Sequence, residues 1–142
     1  MTVDRLDHLV LTVRDLDATI SFYTSVLGMR ATTFGEGRHA LEFGSQKINL
    51  HVAGREFEPK AAVATPGSAD LCFILAGSVD AAIETLAHHT VPVLQGPVIR
   101  TGALGPLRSV YFRDPDGNLI EVSEYVDAAA STSSGPVRPA SQ

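Results

Sequence analysis

Hydrophobic and polar residues alternate in four short segments of the chain, as expected for β-strands that bury one face. The segments are 7–13, 47–52, 70–75 and 119–122, which read D-H-L-V-L-T-V, K-I-N-L-H-V, D-L-C-F-I-L and L-I-E-V. In each segment the aliphatic side chains share one face, and a histidine or a carboxylate lies on the other. We expect the aliphatic faces to pack on helices and the opposite faces to border a cavity.

Two further segments have the spacing of amphipathic helices. In 15–28 an apolar stripe recurs every three to four residues, acidic residues occupy the first turn, and a glycine can close the end. In the second segment Ser78 can cap a helix that Pro92 prevents from continuing. His88 and His89 fall at its C-terminal end, where the helix dipole favours imidazolium, so we interpret them as capping or solvated residues.

The order strand, helix, strand, strand, strand occurs twice along the chain, which predicts an α+β fold of two βαβββ modules. We place module one at about 4–52, a crossover at 53–68 and module two at about 69–126, all within one domain. Residues 127–142 are small, polar and proline-containing, which predicts a disordered tail.

Four potential metal ligands occupy corresponding positions in the two modules. His8 and Asp70 lie in the first strands, and His51 and Glu121 lie in the last. A lone histidine on a strand is more often structural than a ligand, but two imidazoles and two carboxylates together suit a divalent cation. Alternation puts Asn49 on the same strand face as His51, where it could hydrogen-bond a ligand.

The chain resembles the vicinal oxygen chelate superfamily, which includes glyoxalase I, extradiol dioxygenases, fosfomycin-resistance transferases and bleomycin-binding proteins. The resemblance covers residues 4–126 and is carried by D-H-L-V-L-T-V, F-Y-T-S-V-L-G-M and F-R-D-P-D-G-N-L-I-E-V. The blocks I-N-L-H, A-D-L-C-F-I and R-T-G-A-L-G-P are most similar to a glyoxalase-domain group. This resemblance implies that the two modules form a cupped, incomplete barrel, the glyoxalase/bleomycin resistance/dioxygenase fold, with metal ligands projecting inward.

Carried over residue by residue, the resemblance implies that His8 and Glu121 are metal ligands. The other two places are exchanged, because the familiar arrangement has a carboxylate where this chain has His51 and a histidine where it has Asp70. If Asp70 stays outside the coordination sphere, two histidines and one carboxylate remain, a set that non-haem iron enzymes also use. The expected cofactor is therefore a divalent metal ion, with Ni, Co, Zn, Mn and Fe(II) left open.

The resemblance implies three alternative functions. We favour a metal-dependent lyase or isomerase of the glyoxalase type, in which the ion binds vicinal oxygens of a small substrate. Glu121 would then transfer the proton that leads to a metal-bound enediolate. An extradiol-type ring-cleaving dioxygenase and a non-catalytic small-molecule binding or resistance protein are the alternatives. Four protein ligands would leave two positions of an octahedron for a bidentate substrate, which favours the first function.

Several other polar residues are candidates for substrate contact. Arg100 and Thr101 lie in a glycine-containing connection that could clamp an anionic or oxygen-rich substrate, although an ordinary solvated loop is equally compatible. Tyr111 and Arg113 alternate with apolar residues, so that one pair faces the cavity. The D-P-D-G-N sequence at 114–118 predicts a tight turn, because it lacks the alternating oxygen ligands of a calcium loop.

Two residues are interpreted as having no part in the chemistry. Cys72 lies between Leu71 and Phe73, which predicts a buried thiol rather than a nucleophile. His39 has no partner pattern and is expected to be exposed.

Composition restricts the class of protein. The 142 residues, 44% of them hydrophobic, suffice for one globular domain, and a single cysteine is compatible with a reducing cytoplasm. No signal peptide or membrane-length apolar run is present in the sequence. A net charge of −5 without basic clusters argues against nucleic acid as a partner. We expect a cytoplasmic protein that binds a small molecule, with no nucleic-acid or membrane partner. The family resemblance, together with open sheet edges between the modules, implies a homodimer.

Overall fold

The computed structural model describes residues 1–126, so the predicted tail lies outside the described residues. These residues form two compact units, the first made of residues 1–69 and 114–118 and the second of residues 70–113 and 119 onward. The α+β class and the repeated βαβββ order are confirmed. The elements are β1 (His8–Val13), α1 (Leu16–Ser25), β2 (Arg30–Phe34), β3 (Arg38–Phe43), β4 (Gln46–Val52), β5 (Asp70–Ile74), α2 (Val79–His88), β6 (Gln95–Thr101), β7 (Pro106–Arg113) and β8 (Leu119–Tyr125).

The first unit holds a four-stranded mixed sheet in the order β1-β4-β3-β2. Strands β1 and β4 are parallel, and the other neighbours are antiparallel. One face carries the buried aliphatic residues Leu11, Val13, Ile48 and Leu50. On the other face of β1, Val10 is 43% exposed. The predicted separation of an aliphatic face from a polar one is therefore confirmed for this sheet.

Helix α1 begins where the sequence predicted but ends earlier. The Asp15 carboxylate caps it by accepting a hydrogen bond from the Ala18 amide at 3.0 Å. The expected helix extended to Gly28, whereas the observed one ends at Ser25. The hydroxyls of Thr24 and Ser25 donate to carbonyl groups four residues earlier, a contact that weakens a helix locally. Gly28 then adopts a positive φ of 68°, which lets the chain turn toward β2.

The second unit repeats the arrangement, with a four-stranded mixed sheet in the order β5-β8-β7-β6. Helix α2 packs against β7 and β8 and buries Val79 and Leu86. Its N-terminus is capped as predicted, since the Ser78 hydroxyl accepts a hydrogen bond from the Ala81 amide at 3.1 Å. Neither sheet closes into a barrel, and neither helix within residues 1–126 has the length and apolarity that a membrane span requires.

The turn at 114–118 does more than connect two strands, because it is part of the first unit. The Asp114 carboxylate accepts hydrogen bonds from two backbone amides of the turn, from the Asn118 amide group and from the Tyr23 hydroxyl of α1. The Asn118 side-chain oxygen in turn accepts a hydrogen bond from the Ala69 amide at 2.9 Å. The predicted tight turn is thus also a polar connection that fixes α1 and the end of the crossover.

Candidate functional site

The polar face of the first sheet is made of alternate residues from its four strands. The register pairs Thr12 of β1 with His51 of β4, and Ala40 of β3 with Asn49 of β4. Residues paired in this way point to the same side of a sheet. Although this is the face opposite the aliphatic one, Asn49 is only 5% exposed and His51 only 3% exposed. The predicted placement of Asn49 beside His51 on one face is therefore confirmed.

Two buried polar atoms on this face have no hydrogen-bond partner within residues 1–126. They are Oδ1 of Asn49 and Nε2 of His51. Burying a polar group without a partner costs about 1–3 kcal/mol, and folded proteins leave few such groups. Asn49 and His51 are alternate residues of β4, so the two unpartnered atoms lie on one face and mark a place where an ion, a water molecule or a ligand is needed.

His51 is held in a neutral form by its surroundings. Its ring meets the edge of Phe57 at 5.8 Å between centroids. The Arg38 guanidinium lies over the rings of Phe34 and Phe57, at 5.2 and 5.0 Å from their centroids. Burial, and next the positive charge of Arg38, lower the pKa of His51 below its ordinary value. A neutral imidazole keeps one unprotonated nitrogen, which is the form that binds metals and accepts hydrogen bonds.

His51 also lines a cavity of about 470 Å³ that lies entirely within the first unit. This volume is in the range of sites that hold small molecules. Its walls come from β1, β4, the crossover and the turn at 114–118. Most lining side chains are apolar, and the polar ones are Thr12, His51, Lys60, Thr65, Ser68 and Asn118.

His8 lies apart from His51 on the same sheet. In the parallel register His8 pairs with Lys47, four positions before His51 on β4, which corresponds to about 13 Å along the strand. The His8 side chain is 44% exposed, and its Nδ1 lies 2.8 Å from a carboxylate oxygen of Asp7. The register therefore brings Thr12 of β1, rather than His8, next to His51. That His8 and His51 bind one ion stays a prediction.

The remaining histidines lie elsewhere. His39 pairs in register with Leu50, so it points to the face opposite His51, and it is half-buried rather than exposed as the sequence suggested. His88 occupies the last turn of α2 and His89 is its C-cap residue, which confirms the capping interpretation.

The polar face of the second sheet is centred on a buried carboxylate. Glu121 is 2% exposed, and the Ser123 hydroxyl donates a hydrogen bond to its Oε2 at 3.3 Å. The Ser123 oxygen also lies 2.7 Å from the Ser109 hydroxyl oxygen. Both serines are fully buried. Glu121 is thus a carboxylate in a fixed position, as a metal ligand or a proton-transfer group requires.

The expectation that Cys72 is buried is wrong, because the residue is exposed. It pairs in register with Glu121 and so lies on the polar face of the sheet, away from the aliphatic residues that flank it in the sequence. Its sulfur lies 3.4 Å from the Ser123 hydroxyl oxygen. Desolvation of the sulfur, together with the Glu121 charge, raises the pKa of the thiol. Cys72 is therefore an accessible thiol rather than a thiolate at neutral pH.

The second sheet also brings two predicted substrate residues together. Nε of Arg100 donates a hydrogen bond to the Tyr111 hydroxyl at 3.0 Å, and Tyr111 pairs in register with Glu121. Tyr111 and Arg113 therefore share the face of Glu121, as alternation allowed. Thr101 and Arg113 are both exposed. Their contact with a substrate stays a prediction.

The residues fit a divalent cation by their chemistry, although they are not assembled around one. On the first sheet, an imidazole nitrogen and an amide oxygen are suitable donors for such an ion. The second sheet, taken by itself, presents the Glu121 carboxylate, which is also a suitable donor. Asp70 is exposed and lies two residues from the register partner of Glu121, on the same face of the second sheet. Within the described part of the chain, however, no group of three or more His, Cys, Asp or Glu side chains could hold a metal ion. The unpartnered atoms of His51 and Asn49 are the donors most in need of a ligand.

Sequence reasoning missed three residues around His51, namely Arg38, Phe57 and Lys60. The alternation of β3, R-H-A-L-E-F, does put Arg38 on the same face as Ala40, and this signal could have been used. Phe57 and Lys60 lie in the crossover, where no periodicity indicates which side chains point toward the sheet.

The sequence of the chain is similar to those of known proteins. The model of the Glyoxalase/Bleomycin resistance protein/Dioxygenase superfamily matches residues 5–122. The chain belongs to this superfamily. It is 59% identical over 128 residues to the glyoxalase domain-containing protein RDO1 of Mycosarcoma maydis, covering 90% of this chain and 72% of that protein. It is 56% identical over 126 residues to the virulence protein STM3117 of Salmonella typhimurium, covering 89% of this chain and 88% of that protein.

Solved structures agree with the fold. The crystal structure of STM3117 superposes with a TM-score of 0.87 over 89% of this chain and all of that one. Lactoylglutathione lyase from Agrobacterium tumefaciens, 25% identical, has a TM-score of 0.67 over 87% of this chain and 96% of that one. FosX from Listeria monocytogenes, solved with Mn(II) and sulfate, has a TM-score of 0.63 over 94% of this chain and 99% of that one. At 18% identity the FosX likeness concerns the fold alone. The superfamily thus contains enzymes, and one of these structures holds a divalent metal.

Proposed function

We propose that the protein is a divalent-metal-dependent enzyme of the glyoxalase type, a lyase or isomerase acting on a small molecule with vicinal oxygens. One observation carries the proposal: a buried, neutral histidine with an unpartnered Nε2 lines a cavity large enough for a small molecule. The family of the chain and the lyase among its structural neighbours support an enzymatic role.

The residues that would hold the ion are His51 through Nε2 and Asn49 through Oδ1, because both atoms are buried and lack a partner among the described residues. His8, Asp70 and Glu121 stay predicted ligands, and their variants are to be measured separately. When bound, the ion would polarise the substrate oxygens and so acidify the neighbouring carbon-bound proton.

Glu121 is the residue we propose for proton transfer. Its carboxylate is buried, and the Ser123 hydroxyl orients it through Oε2. A general base must be fixed in direction to meet one proton of the substrate, and this hydrogen bond provides that restraint. Within residues 1–126 the exposed Asp70 side chain accepts no such hydrogen bond, so we assign proton transfer to Glu121 rather than to Asp70.

A non-catalytic small-molecule binder is the second candidate. It is favoured by the absence, in residues 1–126, of a ready group of three metal-binding side chains. In that case Oδ1 of Asn49 would accept a hydrogen bond from the bound molecule, and Nε2 of His51 would accept or donate one according to its tautomer.

The two candidates are separated by metal binding. Zn, Ni, Co and Mn, and Fe(II) under anaerobic conditions, are titrated into the purified full chain by calorimetry. We expect His51→Ala to weaken binding at least tenfold, as loss of a ligand does, and His39→Ala to leave it unchanged, since His39 points to the opposite face. If the wild type binds none of these ions, or if His51→Ala binds them normally, the metal-dependent enzyme is rejected and the binder takes its place.

Catalysis is then tested by proton exchange. The metal-loaded protein is incubated in D₂O with a panel of small α-hydroxy ketones and α-hydroxy acids, and loss of the carbon-bound proton is followed by NMR. Exchange that disappears in Glu121→Gln but persists in Glu124→Gln supports the proposal, because Glu124 lies on the same strand and on its other face. Oxygen consumption with a catechol and Fe(II), without proton exchange, would instead identify the ring-cleaving alternative.

A further inference from the structure

The lining of the cavity beside His51 is positively charged, whereas the chain as a whole is negatively charged. The protein carries a net charge of −5, yet the lining residues that belong to the described part of the chain, 1–126, include one lysine, Lys60, and no aspartate or glutamate. The other polar groups of the lining are neutral at pH 7, His51 included. An anion entering the cavity would therefore meet one fixed positive charge and no negative charge on its walls.

The Lys60 ammonium has capacity for a further partner. It has three N–H donors, and the structure shows one ion pair, in which Nζ lies 3.1 Å from Oε1 of Glu58. The Glu58 side chain is 71% exposed, so this pair lies largely in water. Exposed ion pairs contribute little, because solvent and salt screen them. A ligand that covers the cavity wall would displace water from around the same ammonium, so its anionic group would interact more strongly with Lys60.

The remaining lining suits an apolar ligand body. Ala61, Ala64 and Ala69 are small, and Val10 and Val63 present exposed apolar surface at 43% and 82%. Apolar side chains exposed beside a cavity gain free energy when a ligand covers them, at about 25 cal/mol per Å². The cavity therefore combines one cationic position with an apolar wall.

We propose that Lys60 binds the anionic group, a carboxylate or phosphonate, of a small molecule whose apolar part lies against the crossover. The inference rests on the proposed function, since it concerns the ligand of the same cavity. It assigns a specificity role to the crossover at 53–68, which the sequence patterns predict only as a connection. In this proposal the ligand anion replaces the Glu58 carboxylate as the partner of the Lys60 ammonium.

The first test compares matched six-carbon probes. Binding of hexanoate, hexylphosphonate, hexanol and hexylamine to the full-length protein is measured by ligand-observed NMR. We expect either anion to bind at least tenfold more tightly than hexanol, with hexylamine weakest, since a charge-assisted hydrogen bond is worth about a factor of ten or more. Equal affinities for the anions and hexanol would overturn the proposal.

Variants locate the charge that discriminates. Lys60→Gln should lower hexanoate affinity to that of hexanol, and Lys60→Arg should retain most of the preference. Glu58→Gln should raise hexanoate affinity, because it removes the competing carboxylate. Lys47→Gln is the matched control, since Lys47 lies over the Phe34 ring at 4.0 Å and does not line the cavity. A preference for anions that survives Lys60→Gln would contradict the assignment.

Chemical protection gives an independent measure. The sequence contains only two lysines, Lys47 and Lys60, so the acetylation rate of Lys47 is an internal reference for that of Lys60. Hexanoate should slow acetylation of Lys60 severalfold relative to Lys47, as measured by peptide mass spectrometry. Equal slowing of both, or of neither, would reject the proposal. If His51→Ala binds metal normally but Lys60→Gln loses the preference for anions, the metal-dependent enzyme is rejected and the anion site is supported. If His51→Ala loses metal binding but Lys60→Gln keeps the preference, only the anion site is rejected.

Discussion

Removing one hydroxyl tests the polar connection between α1 and the turn at 114–118. Tyr23 is fully buried, and its hydroxyl donates a hydrogen bond of 2.6 Å to Oδ2 of Asp114. Asp114 is 6% exposed, so water cannot readily replace the lost donor. The change Tyr23→Phe keeps the ring and its packing and removes only this contact.

The magnitude follows from the type of bond. Hydrogen bonds to charged groups contribute about 1.5–3 kcal/mol, and Asp114 keeps its bonds to the turn amides and to Asn118. We therefore expect Tyr23→Phe to lower the free energy of unfolding by about 2 kcal/mol. With a urea dependence of roughly 2 kcal/mol per molar, the midpoint should fall by about 1 M.

The assay is urea denaturation followed by circular dichroism at neutral pH. Tyr125→Phe is the matched control, since Tyr125 is 39% exposed and such a change costs within about 0.5 kcal/mol. A midpoint for Tyr23→Phe that matched Tyr125→Phe would refute the view that this hydrogen bond stabilises the first unit.

Three further predictions concern single groups. Gly67→Ala should destabilise the protein by about 1–3 kcal/mol in the same urea assay, because Gly67 has a φ of +81° and an added Cβ would lie 2.5 Å from the Asp116 carbonyl oxygen. The control Gly77→Ala should be neutral or slightly stabilising, because its Cβ would meet no atom of residues 1–126 within 4 Å. Burial and the Asp114 charge raise the pKa of Tyr23 above its unfolded value, so the contribution of Tyr23 to stability is complete below about pH 10 and is lost as the pH rises further. Alkaline titration by absorbance should show that Tyr23 ionises only on unfolding; ionisation of all three tyrosines in the folded protein would contradict this. Cys72 should react fully with a disulfide reagent in the native protein, but more slowly than free cysteine because its pKa is raised. If Cys72 reacted only after unfolding, the thiol would be buried, as the sequence suggested.

The sequence was sufficient for the elements because their patterns are local. Alternation in H-L-V-L-T-V and K-I-N-L-H-V identified both the strands and the faces that they bury. The cap at Ser78 was likewise readable, since one hydroxyl and one amide three residues apart decide it. The end of α1 at Ser25 was not predictable, because the helical spacing of apolar residues continues to Leu27.

The site was predicted less completely, because its geometry depends on pairing between strands. Alternation placed His8 and His51 on one face, but only the register shows four positions between Lys47, the partner of His8, and His51. Alternation also puts Cys72 opposite Leu71 and Phe73, yet apolar neighbours in the sequence suggested burial. Lys60 lies in a connection, and its place in the cavity wall follows from the path of that segment.

Nε2 of His51 is buried and has no hydrogen-bond partner among residues 1–126, and we propose that it binds the ion. Imidazole nitrogen NMR measures this atom directly. In the ¹⁵N-labelled full chain, Zn(II) should shift the Nε2 resonance of His51, assigned through His51→Ala, and Mn(II) should broaden it, while His39 stays unchanged on the opposite face. If the His51 resonance is unaffected by both ions at concentrations that saturate the protein, the metal-binding role of this histidine is contradicted.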